Sequence, residues 1–206
     1  MSGIYLDHAA TTPMLENAIA AMDAQLRTLG NPSSLHTQGR HTRKDVEDAR
    51  EALAKELDCL ASEIIFTASG TEANNTAIKG IYWQQKALGK NVVVISAIEH
   101  HATLDPAAWL AEHEGAEIIY APVTKEGVVD LDFLRALVSK RGSEIALISI
   151  MHANNETGAI QPISEIVKIA GEIAVHTDAA QSFKKVPLSF KSLGVIALSI
   201  LSLIHI

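Results

Sequence analysis

Short apolar runs alternate with longer amphipathic stretches along most of the chain. The short runs, rich in β-branched residues, predict buried strands, and the amphipathic stretches predict helices. Because repeated strand–helix units form a parallel sheet with helices on both faces, the pattern predicts an α/β fold with a mostly parallel sheet. The predicted strands cover residues 64–67, 92–95, 118–120, 145–151, 173–175 and 195–200.

Helix boundaries are indicated by a few local signals. Thr12-Pro13 is typical of a helix start, because proline is well tolerated at the first helical position, and Gly30 is a typical helix stop. Asp130 is expected to cap a later helix. The predicted helices cover residues 13–29, 36–57, 73–88, 105–113, 130–140 and 162–172.

Composition narrows the class of protein. The 206 residues are 48% hydrophobic and 20% charged, which is enough for a real core in one large domain or slightly more. A net charge of −7 argues against direct binding of nucleic acid, and no apolar run approaches the roughly 20 residues of a membrane span. A single cysteine, Cys59, permits no disulfide framework, and the first residues lack a signal-peptide pattern, so a cytoplasmic location is expected.

Asp178 is the most informative position for function. It follows the apolar run 173–175, so it is expected at the carboxyl end of a strand, where ligands bind in open α/β sheets. A carboxylate there needs donors or a cation, and one such partner is the protonated ring nitrogen of pyridoxal 5′-phosphate (PLP). The other interpretation is a cap for the next helix, and this segment alone leaves both open.

Other polar groups also follow predicted strands. Gly70 and Thr71 open a helix, as in an anion site or in a plain helix cap. His100 suits ring stacking or base chemistry, or an ordinary loop, and Asn155 suits a ligand-facing turn or merely an Asn-rich one. The histidines lack the spacing of a metal site. With Gln181 near Asp178, these groups are predicted to share one edge of the sheet.

Six stretches carry a family resemblance. They are YLDHAATTP at 5–13, GNPSSLH at 30–36, SGTEANN at 69–75, EHH at 99–101, MHANNETG at 151–158 and HTDAAQS at 176–182. With these stretches the chain resembles the class V aminotransferase-like PLP enzymes, and within them the cysteine desulfurases of the NifS/IscS type. The resemblance implies PLP fold type I, a homodimer and PLP as cofactor.

The resemblance also implies roles for individual residues. Gly70 and Thr71 would hold the cofactor phosphate, and Asp178 would pair with the protonated ring nitrogen. Asn155 and Gln181 would lie beside the ring oxygen O3′.

A further role implied by the resemblance falls on His100, which would stack on the ring and take part in proton transfer. The implied reaction converts L-cysteine to L-alanine and an enzyme persulfide. The sulfur would pass to an acceptor protein for iron–sulfur cluster assembly or tRNA thiolation.

The chain departs from the family pattern at its end. Ile204 stands where the family has the lysine that forms the Schiff base, and Ile196 stands where it usually has Asp. The family's C-terminal small domain, with its catalytic loop cysteine, has no counterpart. We therefore expect an N-terminal fragment that is inactive alone. Its expected parts are an extended segment (1–13), an incomplete PLP-binding large domain (14–200) and a non-native tail (201–206).

Two alternatives remain beside the desulfurase hypothesis. One is a selenocysteine lyase or another class V aminotransferase or lyase, which the missing loop region would distinguish. The other is a non-catalytic scaffold that pairs with a full-length desulfurase subunit.

Overall fold

A computed structural model of the chain describes residues 4–201. Two compact units make up this range, residues 4–66 and residues 67–201. The proposed division into an extended segment, an incomplete large domain and a tail remains a prediction.

The first unit contains two helices, α1 (Glu16–Leu26) and α2 (Thr37–Leu57). Both were predicted, although α1 is shorter than expected at each end. Nδ1 of His36 accepts a hydrogen bond from the Gly39 N–H at 3.2 Å and caps the start of α2. Asp58 ends this helix in the left-handed conformation.

The predicted strand at residues 64–67 is wrong. These residues have no regular structure, and Ile65 and Phe66 are 77% and 49% exposed. The guanidinium of Arg50 lies 4.8 Å from the Phe66 ring centroid and donates a hydrogen bond to the Ile64 carbonyl. A strand needs the backbone of a neighbouring strand, and here a side chain satisfies the backbone instead.

The second unit is built on five parallel strands, in the spatial order β2-β1-β3-β4-β5. The prediction of a parallel α/β sheet is confirmed. The strands are β1 (Val92–Ser96), β2 (Glu117–Ala121), β3 (Ile145–Ser149), β4 (Val175–Asp178) and β5 (Ala197–Ser199). The helices are α3 (Gly70–Lys86), α4 (His101–Glu114), α5 (Leu131–Arg141), α6 (Ile163–Ala170) and α7 (Phe190–Leu193).

Helices cover both faces of this sheet. Val92 and Val94 of β1 pack in a core cluster with residues of α5 and α6, whereas Val93 and Ile95 pack with residues of α3 and α4. Successive side chains of a strand point to opposite faces, so a strand buried on both sides reads as a continuous apolar run. This arrangement explains why β1 has no polar alternation.

Helix α4 begins four residues before the predicted start at Asp105. Its cap is His100, whose Nδ1 accepts the Ala102 N–H at 3.0 Å. Pro106 therefore lies inside the helix and not at its first turn. The prediction failed because Asp-Pro is a common helix start, while a histidine cap gives a weaker sequence signal.

The strand order creates a switch point between β1 and β3. From β1 the chain crosses to β2 on one side, and it then returns to β3 on the other side. Crossovers that leave in opposite directions open a crevice at the carboxyl ends of the two strands, where ligands bind in α/β folds. The segments that follow β1, β3 and β4 are therefore the place to look for a site.

Candidate active site

Hydrogen bonds join the carboxyl ends of β1, β3 and β4. The backbone N–H of Met151, after β3, donates to Oε1 of Glu99, after β1, at 2.8 Å. The next residue, His152, donates its backbone N–H to the carbonyl of Asp178 at 2.8 Å. The edge of the sheet where the sequence placed the site is therefore one connected polar region.

Asp178 is the last residue of β4 and is only 8% exposed. The strand runs further than predicted, so this carboxylate belongs to the strand itself. Its Oδ2 accepts from Nδ2 of Asn74 at 2.6 Å, and its Oδ1 accepts from the backbone N–H of Ala180 at 2.9 Å. A carboxylate offers about four acceptor positions, so each oxygen retains capacity for a further donor.

The start of α3 presents backbone N–H groups. The Ser69 hydroxyl accepts the Glu72 N–H at 3.1 Å and caps the helix, and the Glu72 side chain accepts the Ala68 N–H at 2.6 Å. Within residues 4–201, no hydrogen bond occupies the N–H groups of Gly70 and Thr71. Such groups at a helix start favour an anion.

Leu201 lies beside this helix start. Its side chain comes within 3.5 Å of the position that a Cβ on Gly70 would occupy. A Cβ on Gly70 would therefore be in ordinary van der Waals contact with Leu201.

His100 is exposed, and its ring orientation is set by its role as the α4 cap. Because Nδ1 accepts the Ala102 N–H, the proton of the neutral ring is assigned to Nε2. The uncharged ring therefore presents an N–H donor on the side away from the helix.

Asn155 and Gln181 are both half-buried at the same edge. Nδ2 of Asn155 donates to Oε1 of Glu156 at 2.7 Å. Nζ of Lys185 donates to Oε1 of Gln181 at 2.9 Å, which orients the Gln181 amide. The structure thus places all six predicted site residues on the segments around the carboxyl edge, while their roles remain predictions.

Asn74 was missed by the sequence analysis. It is 1% exposed and lies one helical turn before Ile78 and two before Tyr82, both of which are fully buried. A polar residue on the buried stripe of a helix is a detectable signal, because burial requires a hydrogen-bond partner. Its partner, Asp178, lies 104 positions away and could not be read from the sequence.

His176 of β4 was also missed as an individual residue. It is fully buried, with Nδ1 2.8 Å from the Ser149 hydroxyl on β3 and Nε2 3.0 Å from the Ser199 hydroxyl on β5. Burial lowers the pKa of His176 to about 4, although the nearby Asp178 charge acts to raise it. The neutral ring therefore joins three adjacent strands directly below the carboxyl edge.

Glu99 is the third residue that the sequence analysis missed, because no signal in a loop sequence indicates that a carboxyl group is buried. It is 7% exposed, and burial raises the pKa of Glu99 to about 7 against the opposing effect of nearby hydrogen-bond donors. Two of these donors, the Ser96 hydroxyl at 2.6 Å and the Met151 N–H, contact Oε1.

Four buried polar atoms of the described range lack a hydrogen-bond partner. They belong to residues near the starts of α3 and α4 and in the segments that follow β1 and β3. Burial also lowers the pKa of one of them, His152. Unsatisfied atoms of this kind are expected around a binding site, where a ligand completes the bonds. The atoms are Asn74 Oδ1, Glu99 Oε2, Thr103 Oγ1 and His152 Nδ1.

Across residues 4–201, no cluster of three or more His, Cys, Asp or Glu side chains could hold a metal ion. Within the same range, no helix combines the length and the apolar character needed to cross a membrane.

The fold and the polar carboxyl edge define an α/β protein with a candidate ligand site at the switch point of its sheet. Residues 4–200 match the class V aminotransferase family, and the chain belongs to this family.

Its curated relatives include cysteine desulfurases. The chain is 47% identical over 200 residues to an IscS-like cysteine desulfurase of Mycobacterium tuberculosis, covering 95% of this chain and 51% of the relative. It is 48% identical to the cysteine desulfurase IscS of Dictyoglomus turgidum, covering 96% and 50% of the two chains. The resemblance to the NifS/IscS group is confirmed.

Solved structures agree with this assignment. A NifS-like protein superimposes with a TM-score of 0.90 at 36% identity, covering 96% of this chain and 54% of that one. SspA, solved in complex with cysteine, gives a TM-score of 0.87 at 33% identity, covering 96% and 56%. The predicted fold is thereby confirmed for the described residues.

The chain spans about half the length of the curated relatives it matches. Ile204, at the expected lysine position, and most of the predicted non-native tail lie outside the described residues.

Proposed function

We propose that this chain carries the PLP-binding part of a cysteine desulfurase of the NifS/IscS type. The full reaction would take sulfur from L-cysteine, leaving L-alanine and an enzyme persulfide. The proposal rests on one observation above all, the buried carboxylate of Asp178 at the carboxyl end of β4. Asn74 and the Ala180 N–H hold this carboxylate in a fixed orientation.

The described residues fit the cofactor. Asp178 has acceptor capacity for a protonated ring nitrogen, and the N–H groups of Gly70 and Thr71 suit a phosphate at the start of α3. The unsatisfied buried atoms nearby are consistent with a polar ligand. When bound, PLP supplies an electron sink for carbanion chemistry at the substrate.

The remaining residues would bind, orient and exchange protons. His100 would stack on the ring and would present its Nε2–H to the reacting groups when neutral. Gln181, oriented by Lys185, and Asn155 would bind the ring oxygen O3′. The Asp178 carboxylate would hold the proton at the ring nitrogen, because a buried negative charge favours the protonated partner.

Partners and location follow from the same proposal. The substrate would be L-cysteine, the assembly a homodimer, and the acceptor a protein of iron–sulfur assembly or tRNA thiolation. A cytoplasmic location suits the single cysteine, Cys59, although one relative, from Candida albicans, is a mitochondrial cysteine desulfurase.

Binding of pyridoxamine 5′-phosphate tests the proposal. This amine form carries the ring and phosphate of the cofactor but lacks the aldehyde that reacts with surface lysines. We expect Asp178→Asn to weaken its binding at least tenfold, because the amide cannot compensate the charge on the ring nitrogen. Isothermal titration calorimetry measures the affinity, and circular dichroism checks the fold.

The matched control is Asp105→Asn, which changes an exposed carboxylate on α4. We expect parental affinity from this variant. The proposal is wrong if the parental chain does not bind pyridoxamine 5′-phosphate, or if Asp178→Asn binds it as tightly as the parental chain does. Co-purification with a full-length desulfurase, without cofactor binding, would favour the scaffold alternative.

A second prediction concerns turnover. We expect no L-alanine release from L-cysteine when the chain is incubated with PLP, because Ile204 cannot form the covalent bond that a lysine makes with the cofactor aldehyde. Quantifying L-alanine by chromatography checks this expectation. Multiple turnovers by the purified chain would contradict it.

A further inference from the structure

Two turns face each other across the switch point. The β1 turn, residues 97–100, carries His100, and the β3 turn, residues 150–155, carries Asn155. Within each turn, the residue next to the predicted site residue is buried: Glu99 is 7% exposed and Asn154 is 6% exposed.

Each of these two buried side chains binds the backbone of the opposite turn. Oε1 of Glu99 accepts the Met151 N–H at 2.8 Å, so a side chain of the β1 turn holds the β3 turn. Nδ2 of Asn154 donates to the Ile98 carbonyl at 2.9 Å, so a side chain of the β3 turn holds the β1 turn. The two bonds form a reciprocal tether between the turns.

Asn154 also shapes its own turn. Its Oδ1 accepts the backbone N–H of Glu156 at 3.0 Å, together with the N–H and hydroxyl of Thr157 at 2.8 and 3.0 Å. One amide side chain therefore fixes the residues on both sides of Asn155 and ties them to the β1 turn. A single rotamer change at Asn154 would release all of these contacts.

The positions of the bonds favour a role in the site over simple packing. Both lie at the carboxyl ends of β1 and β3, where the strand order opens the crevice. Past β1 and β3 the backbones of the two turns are no longer paired as strands, so the side chains provide the connection. The tether therefore joins the two turns that carry His100 and Asn155.

We propose that Glu99 and Asn154 are positioning residues that set His100 and Asn155 relative to each other across the switch point. The identity of the ligand between them rests on the proposed function, but the tether itself does not. A ligand that binds to one turn would change the position of the other turn through these two hydrogen bonds.

Four variants separate positioning from packing. Glu99→Leu removes the acceptor at similar volume, whereas Glu99→Gln keeps an Oε1 acceptor for the Met151 N–H. Asn154→Asp keeps the Oδ1 acceptor of its own turn but replaces the donor to Ile98 with an oxygen. The double variant Glu99→Leu/Asn154→Asp tests whether the two bonds act as one unit.

The first measurement uses nuclear magnetic resonance of the cofactor-free chain. We expect Glu99→Leu to shift the backbone amide signal of Asn155, and Asn154→Asp to shift that of His100, each on the turn opposite to the change. Glu99→Gln should restore the Asn155 signal. The exposed positions Glu112 and Asn17 provide the controls Glu112→Leu and Asn17→Ala, which should leave both signals in place.

The second measurement is the affinity for pyridoxamine 5′-phosphate. We expect a loss of about tenfold for Glu99→Leu and for Asn154→Asp, parental affinity for Glu99→Gln, and no additional loss for the double variant. The inference is overturned if the two single variants lower stability but leave the signals of the opposite turn and the affinity unchanged.

The outcomes remain separable from the proposed function. If the parental chain does not bind pyridoxamine 5′-phosphate, the function fails, and the cofactor-free spectra still decide the tether. If Glu99→Leu does not fold, a pH titration of the parental chain replaces it. Ionisation of Glu99 should then move the amide signals of Met151 and Asn155 together, and a response confined to residues 96–100 would contradict the tether.

Discussion

Acidification from pH 6.5 to pH 4 is expected to remove about 3 kcal/mol of unfolding free energy through His176 alone. Burial lowers the pKa of this ring from 6.5 to about 4 in the folded chain. Between these pH values His176 binds a proton in the unfolded chain but stays neutral in the folded chain. The stabilisation is therefore complete above pH 6.5 and is lost as the pH falls towards 4.

The measurement compares the parental chain with His176→Asn by urea unfolding at several pH values. The variant loses the hydrogen bonds to Ser149 and Ser199, so we expect lower stability at pH 7. The difference in unfolding free energy between the two chains should then shrink by about 3 kcal/mol as the pH falls from 7 to 4, because only the parental chain loses the His176 contribution. His41→Asn, at an exposed position of α2, is the control. Parallel curves for the parental chain and His176→Asn would contradict the assignment.

The hydrophobic pattern predicted the sheet because the core strands are apolar throughout. Val92 to Ile95 are buried on both faces, so a continuous apolar run was a sufficient signal. The same reasoning failed at residues 64–67, where Ile65 is exposed and Arg50 binds the backbone. A short apolar run does not show whether a neighbouring strand is available to pair with it.

Site residues could be predicted from the sequence only where they lie close to the end of a predicted strand. Asp178 ends a strand, and His100 and Asn155 follow strands in sequence, so their common edge was predictable from the α/β pattern. The bonds that hold them are long-range. Asn74 reaches Asp178, and Glu99 reaches Met151 across 52 positions, and no local pattern encodes such pairs.

The carboxyl edge buries groups with opposite responses to pH. The Asp178 charge raises the pKa of both Glu99 and His176. Burial is the larger effect on each pKa, and it raises the pKa of the acid and lowers that of the base. As the pH falls from about 6.5 to 4.5, the His176 contribution decreases while the Glu99 contribution increases. The two contributions therefore oppose each other in this window, and the single variants separate them.

The difference in unfolding free energy between Glu99→Gln and the parental chain is expected to be about 3 kcal/mol more favourable to the variant above pH 7 than at pH 4.5. Burial raises the pKa of Glu99 from 4.5 to about 7, so the folded chain retains a proton that the unfolded chain releases. Folding therefore becomes less favourable as the pH rises through this interval. The glutamine keeps the acceptor for Ser96 and Met151 but carries no charge, which removes this loss.

Urea unfolding of the parental chain and Glu99→Gln between pH 4.5 and 8.5 measures the effect. The difference in unfolding free energy should grow with pH and level off above pH 7. Glu112→Gln, which neutralises an exposed carboxylate on α4, should follow the parental curve. A constant difference across the whole range would mean that Glu99 is ionised equally in both states. Burial of the Glu99 carboxylate in the β1 turn would then have no electrostatic cost. Its unpartnered Oε2 would in that case need a hydrogen-bond donor in the folded chain.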